Sequence, residues 1–170
     1  QVRRAACRYR GVVAVSSATP SEVDQLLALD NQLCFALYAG SRALMRTYRP
    51  LLEPLGLTYP QYLVMLVLWE WQREPPEHPG VKALGERLQL DSGTLTPLLK
   101  RLETQGLIRR ERVRGGDERQ LQVSLTEAGS DLRQAAASVP HQLMCQTGMS
   151  AAQMRELRDG LNKLLGAMQE

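Results

Sequence analysis

The sequence predicts a mainly α-helical fold with one small β-hairpin, and three patterns lead to this prediction. Leucines recur at helical spacing near both ends of the chain, two short amphipathic helices flank a polar turn in the middle, and an alternating segment follows a Gly-Gly pair. Of the 170 residues, 44% are hydrophobic and 23% are charged. This composition is that of an ordinary globular protein and excludes the disordered and membrane classes.

Residues 1–20 are predicted to form a flexible basic arm. Arginines stand at positions 3, 4, 8 and 10, and no acidic residue precedes Glu22. The apolar run at 12–15 is too short for a signal peptide. The arm is therefore either a tail without a role or a segment that touches DNA. Without these four of the 21 basic residues, 17 basic and 18 acidic residues remain, so the positive charge is local.

One long helix with a single apolar side is predicted from Ser21 to about Tyr48, and Pro50 and Gly56 should break it. Its apolar side is formed by Leu26, Leu29, Leu33, Leu37 and Leu44. The next helix begins at Thr58 with Gln61 three residues later, the spacing of a capping box. Residues 62–71 are apolar nearly all round, so this helix should be central. The proline-rich stretch 73–80 should be a surface loop.

A helix-turn-helix is predicted next. Residues 81–88 form a short helix and 89–91 a turn, and Asp91 or Ser92 caps a second helix that ends near Gln105, before Gly106. Pro97 lies inside this second helix, where it costs up to about 3 kcal/mol. Pro97 either tightens the first turns of the helix or marks a functional surface.

A β-hairpin follows, in which residues 107–113 pair with the alternating segment 121–125 across Gly115-Gly116. Residues 100–119 hold seven Lys or Arg and four Asp or Glu, a surplus of three that equals the net charge of the whole chain. Charge concentrated on a turn indicates a phosphate contact. Residues 58–125 are thus predicted to be a winged helix-turn-helix.

The C-terminal region should form two further helices, one capped by Thr126 and kinked at Pro140, and one that begins with a Ser150–Gln153 capping box. A single subunit offers too little additional structure to cover the apolar side of either terminal helix. We therefore expect a symmetric homodimer in which helices from about 21–57 and 126–170 of the two subunits interleave around a single domain, 21–170.

The predicted partner of the winged helix-turn-helix, called the reader below, is a pseudo-palindromic double-stranded DNA operator. Helix-turn-helix proteins place the second helix in the major groove, with its N-terminal side chains toward the bases. The expected contacts are Ser92, Thr94, Thr96 and Lys100 from this helix and Arg112, Arg114, Asp117 and Arg119 from the wing. Asp117 is close enough in sequence to hold the Arg119 guanidinium in a fixed pose for a phosphate or the minor groove.

Three cysteines, at positions 7, 34 and 145, argue against a secreted disulfide scaffold and a structural zinc site. We expect a cytoplasmic protein without metal, cofactor or membrane span, and Cys7 as a bystander. Cys34 falls inside the first predicted helix with Tyr38 one turn later on the same face. On these grounds alone Cys34 would be a small buried apolar residue.

Four segments together resemble the organic hydroperoxide-sensing repressors of the MarR family, called OhrR. They are residues 29–35 (LDNQLCF), 58–62 (TYPQY), 90–97 (LDSGTLTP) and 117–119 (DER). The resemblance spans roughly residues 26–170, and only the loop at 73–80 looks longer than is usual for the group.

The resemblance implies that Cys34 is the peroxide-reactive thiol. It also implies that tyrosines matching Tyr48 and Tyr59 reach its sulfur from the other subunit, beside Tyr38. Phenolic hydroxyls that donate to sulfur stabilise the thiolate, which attacks a peroxide to give sulfenic acid. Cys145 resembles the resolving cysteine of the two-cysteine members. Organic hydroperoxide is thus the implied inducer, and its reaction releases the operator.

Two other functions stay open. A MarR-type regulator can sense a noncovalent phenolic ligand between its dimerisation and reader regions. A thiol peroxidase is disfavoured because Cys34 is predicted to lie inside a helix rather than at a helix start after a strand, so we expect no enzyme.

Overall fold

The computed structural model describes residues 19–112 and 121–168, with the side chain of Arg112 left out. The described residues divide into two compact units, one that ends at Leu44 and one that begins at Met45. The helices are α1 (Pro20–Leu27), α2 (Leu33–Leu52), α3 (Tyr59–Trp71), α4 (Val81–Leu88), α5 (Ser92–Thr104), α6 (Glu127–Ala136), α7 (Val139–Thr147) and α8 (Ala151–Met168). The strands are β1 (Ile108–Arg112) and β2 (Leu121–Leu125), and short 3₁₀ helices lie at Leu29–Asn31 and Glu53–Leu55.

The predicted single N-terminal helix is wrong, because the chain breaks between α1 and α2. The backbone at Ala28 is extended, with φ −61° and ψ 129°. The side-chain amide of Asn31 donates to the carbonyl of Gln25 at 2.8 Å, and that of Gln32 donates to the carbonyl of Leu26 at 2.6 Å. These bonds satisfy the last carbonyls of α1 without a further helical turn.

The prediction that Pro50 breaks the helix is also wrong, since α2 continues through Pro50 to Leu52. A proline removes one backbone hydrogen bond, and this loss is tolerated where packing holds the turn. Leu52 is fully buried in the core and provides that packing. The helical run ends only at Gly56, which has a left-handed backbone with φ 66°.

The predicted helix-turn-helix is confirmed. Helix α4 ends at a left-handed Gln89 with φ 54°, and the carboxylate of Asp91 caps α5 by accepting from the Thr94 amide at 2.9 Å. Helix α5 continues through Pro97 and ends before Gly106, whose φ is 72°.

The strands β1 and β2 pair antiparallel from Ile108↔Leu125 to Arg112↔Leu121, which confirms the hairpin. A further antiparallel bridge joins Gly80, just before α4, to Gln122. The predicted turn at 115–116 lies outside the described residues.

Helix α3 is central in the core, as predicted. Its buried residues are Gln61, Tyr62, Val64, Met65, Val67, Leu68 and Trp69. The Trp69 indole Nε1–H donates to the carbonyl of Gly129 at 2.8 Å and so joins α3 to α6. Gly129 has no room for a side chain, because a Cβ there would overlap the backbone carbonyl of Leu107.

The C-terminal region forms three helices rather than two. The helix that begins after Thr126 ends at Ala136, and α7 starts anew at Val139, so the kink expected at Pro140 is a break three residues earlier. The capping box before α8 is confirmed, with the Ser150 amide donating to Gln153 Oε1 at 2.9 Å.

Within the described ranges, no single helix is long and apolar enough to cross a membrane; one pair bent by 67°, residues 33–55 and 59–71, meets the length and composition test jointly.

Candidate functional site

Helix α5 has one side in the core and one side open to solvent. Leu95, Leu99 and Leu102 are at most 1% exposed and pack the helix onto the core. The predicted DNA contacts Ser92, Thr94, Thr96 and Lys100 are all exposed. All four side chains are therefore accessible to a ligand that approaches α5 from solvent.

Both threonine hydroxyls on this face are engaged by the chain itself. Thr94 Oγ1 donates to Asp91 Oδ2 at 2.8 Å, and Thr96 Oγ1 donates to the carbonyl oxygen of Ser92 at 2.7 Å. Hydrogen bonds from Thr94, the backbone amide first and the hydroxyl second, lower the pKa of Asp91 below its usual value, so its carboxylate is ionised. The sequence did not reveal these bonds, although back-bonding to the carbonyl four residues earlier is common for threonine in helices.

The base of the wing is fixed to α5 by an ion pair. Arg110 Nε donates to Glu103 Oε2 at 2.9 Å, and the Arg110 amide donates to Glu103 Oε1 at 3.2 Å. The side-chain hydrogen bond from Arg110 is the main reason why the pKa of Glu103 lies below its usual value. Arg110 thus stabilises the fold. The pair removes one basic and one acidic side chain from the count for residues 100–119, so the surplus of three is unchanged. Of the predicted wing contacts, the Arg112 side chain and residues 114, 117 and 119 lie outside the described residues.

Two polar links hold the helix-turn-helix onto α3. Gln61 Nε2 donates to Gln105 Oε1 at 3.2 Å, which connects the start of α3 to the end of α5. Arg87 of α4 pairs with Glu70 of α3 at 3.2 Å. The two links thus join α3 to both helices of the helix-turn-helix.

The predicted sensor thiol, Cys34, is exposed and is the second residue of α2. The expectation that it lies inside a longer helix is wrong, because the break before α2 puts it in a first turn. Free backbone amides and the positive end of the helix dipole favour negative charge there. Tyr38, one turn later, accepts a hydrogen bond from Arg42 Nη1 at 2.9 Å, and the guanidinium lies 5.5 Å from its ring centroid.

The other two predicted sensor tyrosines form a cluster in the second unit. The ring centroids of Tyr48 and Tyr59 are 4.7 Å apart, and those of Tyr48 and Tyr62 are 6.0 Å apart. Burial, followed by the charges of the two neighbouring phenols, raises the pKa of Tyr48 to about 12, and burial also raises the pKa of Tyr59. These phenols keep their protons at neutral pH and are competent hydrogen-bond donors.

We expect the free energy of unfolding to fall as pH rises from about 10 to 12. A tyrosine of the unfolded chain ionises near pH 10, whereas folded Tyr48 ionises near 12. The contribution of the protonated Tyr48 phenol to the free energy of unfolding is therefore complete below pH 10 and is lost as pH approaches 12. Urea unfolding across this range measures the slope, which should be shallower for Tyr48→Phe. Equal slopes in the two proteins would show that burial of this phenol does not govern its ionisation.

The predicted resolving thiol, Cys145, is exposed on α7, with its Sγ atom 3.9 Å from Nδ1 of His141. Sequence reasoning missed this contact, although the spacing of four residues within one helix was a signal for it. A thiol can donate to a neutral imidazole, which then accepts its proton when the sulfur attacks. Cys7 lies outside the described residues.

Apolar side chains of α2 and α8 are left without cover in the single chain. Leu33 on α2 is 60% exposed, and Leu157 and Leu165 on α8 are 55% and 45% exposed. Helix α8 has no buried residue. Exposed leucines repeated along a helix mark a surface that contacts another molecule.

A groove of about 310 Å³ lies between α3 and the α6–α7 region. Its lining combines apolar side chains with charged ones, including Leu66, Trp69, Arg73, Arg133 and Pro140. Glu70 and Glu74 lie beside the two arginines, so the charged part of the lining is balanced, and the groove suits a small ligand with an apolar body and a polar group. Within residues 19–112 and 121–168, no group of three or more His, Cys, Asp or Glu could hold a metal ion.

Comparison with known proteins gives three consistent findings. The family model of the transcriptional regulators SarA/Rot matches residues 46–135. An organic hydroperoxide resistance transcriptional regulator of Bacillus subtilis is 46% identical over 144 residues, which cover 85% of this chain and 94% of that protein.

Solved structures of AbfR, a protein of Staphylococcus epidermidis, are also similar. Reduced AbfR bound to DNA is 35% identical with a TM-score of 0.68, covering 87% of this chain and 99% of that one. Overoxidised AbfR bound to DNA is 36% identical with a TM-score of 0.66, covering 86% and 98%. Disulfide-formed AbfR is 37% identical with a TM-score of 0.57, covering 86% and 99%.

Proposed function

The chain belongs to the OhrR type of the MarR family of transcriptional regulators, and on that premise we propose that it is a dimeric repressor that senses organic hydroperoxides through Cys34. The observation that carries the proposal is the position of this exposed thiol in the first turn of α2. Oxidation of Cys34, completed by a disulfide with Cys145, releases the protein from its operator.

Operator binding is supported by the exposed polar face of α5 and by the wing attached to it through Glu103 and Arg110. A palindromic operator needs two such readers about 34 Å apart. The uncovered apolar sides of α2 and α8 support a homodimer that holds the readers at this spacing. A relative, reduced AbfR, has been solved bound to DNA, which agrees with binding by the reduced form.

The sensor is assembled across the dimer. The partner's Tyr48 and the partner's Tyr59 donate hydrogen bonds to the sulfur of Cys34, and Tyr38 lies beside it on the same helix. The phenols are suited to this role because burial keeps Tyr48 and Tyr59 protonated far above neutral pH, as their raised pKa values indicate. Donation to the sulfur stabilises the thiolate, which is the reactive form.

The reaction proceeds in two steps. The Cys34 thiolate attacks the terminal peroxide oxygen, so that an S–O bond forms, the O–O bond breaks, and the alkoxide leaves as an alcohol after protonation. The Cys145 thiolate then attacks the sulfenic sulfur, an S–S bond forms, and the hydroxyl leaves as water. The sulfur is oxidised and the peroxide is reduced.

The disulfide is the form that releases DNA. A bridge requires α-carbons within about 7 Å, so closing it pulls on helices that set the spacing of the readers. The relatives support this assignment, since overoxidised AbfR has been solved bound to DNA and a disulfide-formed AbfR has been solved as well. Oxidation of Cys34 without a bridge should therefore leave the operator bound.

The proposal is tested by fluorescence anisotropy with a labelled operator selected from random duplexes. One equivalent of an organic hydroperoxide should release the wild-type protein, and dithiothreitol should restore binding. Release that is absent, or that a thiol reductant does not reverse, would contradict the proposal.

A second candidate is control by a noncovalent phenolic ligand, and the groove beside Trp69 and Arg133 favours it. Release of the operator by such a ligand from a protein without cysteines would support this second function instead. In that case hydroperoxide would have no effect on DNA affinity.

A further inference from the structure

We propose that the first two turns of α5 present hydrogen-bond acceptors to the operator, so that Thr94 and Thr96 select the amino-bearing bases adenine and cytosine and disfavour guanine. The inference rests on the proposed function, since α5 must lie in the major groove. It replaces the expectation that the two hydroxyls, able both to donate and to accept, discriminate bases only weakly.

The direction of the Thr94 hydrogen bond is fixed by its partner. The Asp91 carboxylate carries no proton and can only accept, so the Thr94 hydroxyl must supply the hydrogen of the 2.8 Å contact. The same carboxylate accepts the Thr94 amide at 2.9 Å, which holds it in place as the cap of α5. What Thr94 still offers to a DNA base is its lone pairs and its methyl group.

The same logic applies to Thr96. Its hydroxyl donates to the carbonyl oxygen of Ser92 at 2.7 Å, and a carbonyl cannot donate in return. The bond lies within one turn of the helix, so docking of α5 as a rigid body does not break it. Thr96 is exposed, and its oxygen is left to accept a hydrogen bond from outside.

Pro97 adds to this polarity. Proline has no N–H, so the helix supplies no donor four residues on to the carbonyl of Gly93. Both residues are exposed. The strong donor on this face, the Lys100 ammonium, lies one turn further along. The side chains of the early turns are thus rich in acceptors. The exceptions on this part of the helix are the Ser92 hydroxyl, which can serve in either direction, and the backbone amides at the start of the helix.

This polarity distinguishes bases in the major groove. Adenine and cytosine present amino donors at N6 and N4, whereas guanine presents the acceptors O6 and N7. A guanine opposite Thr94 or Thr96 would set acceptor against acceptor, with no donor to either. The threonine methyl groups remain able to touch a thymine methyl.

The test uses the full-length protein and a binding consensus selected from random duplexes. The same selection with Thr96→Val shows at which base pairs the protein's base preference depends on Thr96. At each of these base pairs an adenine is replaced by purine, which lacks the 6-amino group, or a cytosine by pyrimidinone, which lacks the 4-amino group. We expect the wild type to lose about fivefold in affinity, the usual value of one hydrogen bond. Thr96→Val should show no further loss, because it has no oxygen to accept.

Two controls separate the oxygen from other effects. Thr96→Ser keeps the hydroxyl and should keep the sensitivity to the missing amino group. Replacement of the purine by its 7-deaza analogue removes the N7 acceptor and should change nothing at these positions. Because the base analogues act on the wild-type protein, the test holds even if the valine variant is unstable.

The inference is overturned if the 7-deaza analogue weakens wild-type binding and Thr96→Val abolishes that effect, because Thr96 would then be donating. It is also overturned if a consensus exists but neither analogue nor variant changes affinity. A selection that yields no consensus would instead contradict operator binding, and so the proposed function itself.

Discussion

Cys34→Ser should bind the operator as tightly as the reduced wild type and should stay bound after an organic hydroperoxide is added. The exchange of sulfur for oxygen keeps the size and exposure of the side chain, so α2 and the reader are unaffected, but serine does not react with peroxides. Wild-type affinity should fall toward the level of non-specific DNA, about 10³-fold or more. Fluorescence anisotropy before and after one equivalent of hydroperoxide measures the operator affinity of the variant and of the wild type.

The matched control is Cys7→Ser, which should release like the wild type. Cys145→Ser should react at Cys34 and yet release poorly, because the resolving thiol that captures the sulfenic acid is missing. Undiminished release of Cys34→Ser would place the sensor elsewhere. Full release of Cys145→Ser would leave Cys34 as the sensor but show that another thiol, such as a small cellular one, completes the reaction.

The double variant Leu157→Glu/Leu165→Glu should be monomeric and should lose about 10²–10⁴ in operator affinity. Both leucines are exposed in the single chain, so the fold of the subunit does not depend on them. Charges on this side of α8 would have to be buried in the dimer, which is costly. A monomer engages one half-site at a time and loses the gain from bivalent binding.

Lys163→Glu provides the matched control, since it makes the same change of two charges on the side of the helix away from the leucines. Sedimentation equilibrium gives the mass, and anisotropy gives the affinity. A double variant that remains dimeric would show that α8 lies outside the interface. Contacts of other helices would then have to set the spacing of the two readers.

The reader was predictable from the sequence because each boundary has a local chemical signal. The Asp91 cap, Gly106 and the alternation from Leu121 to Leu125 fix α5 and β2 without reference to distant residues. The capping boxes at Thr58 and Ser150 did the same for α3 and α8.

The N-terminal break was not predictable in this way. Leucines continue at helical spacing across the gap between α1 and α2, whereas the gap is closed by side-chain bonds from Asn31 and Gln32 that no periodicity reveals. The consequence is functional, because the break moves Cys34 from the inside of a helix to its first turn.

The candidate site was predicted only in part. Exposure of Lys100 follows from its place opposite the buried leucines of α5, and Ser92, Thr94 and Thr96 are exposed in the first two turns of the helix. The engagement of Arg110 by Glu103 depends on how the hairpin folds back onto the helix, so a count of charges along the sequence could not show that Arg110 is engaged.

The reactivity of Cys34 in the assembled protein tests the central claim most directly. In a Cys7→Ser/Cys145→Ser protein Cys34 is the single thiol, and its rate of loss with an organic hydroperoxide can be followed by thiol titration. The rate should be much higher in the native dimer than in the urea-unfolded chain, and Tyr48→Phe/Tyr59→Phe should lower the native rate. Equal rates in native and unfolded protein would contradict the account.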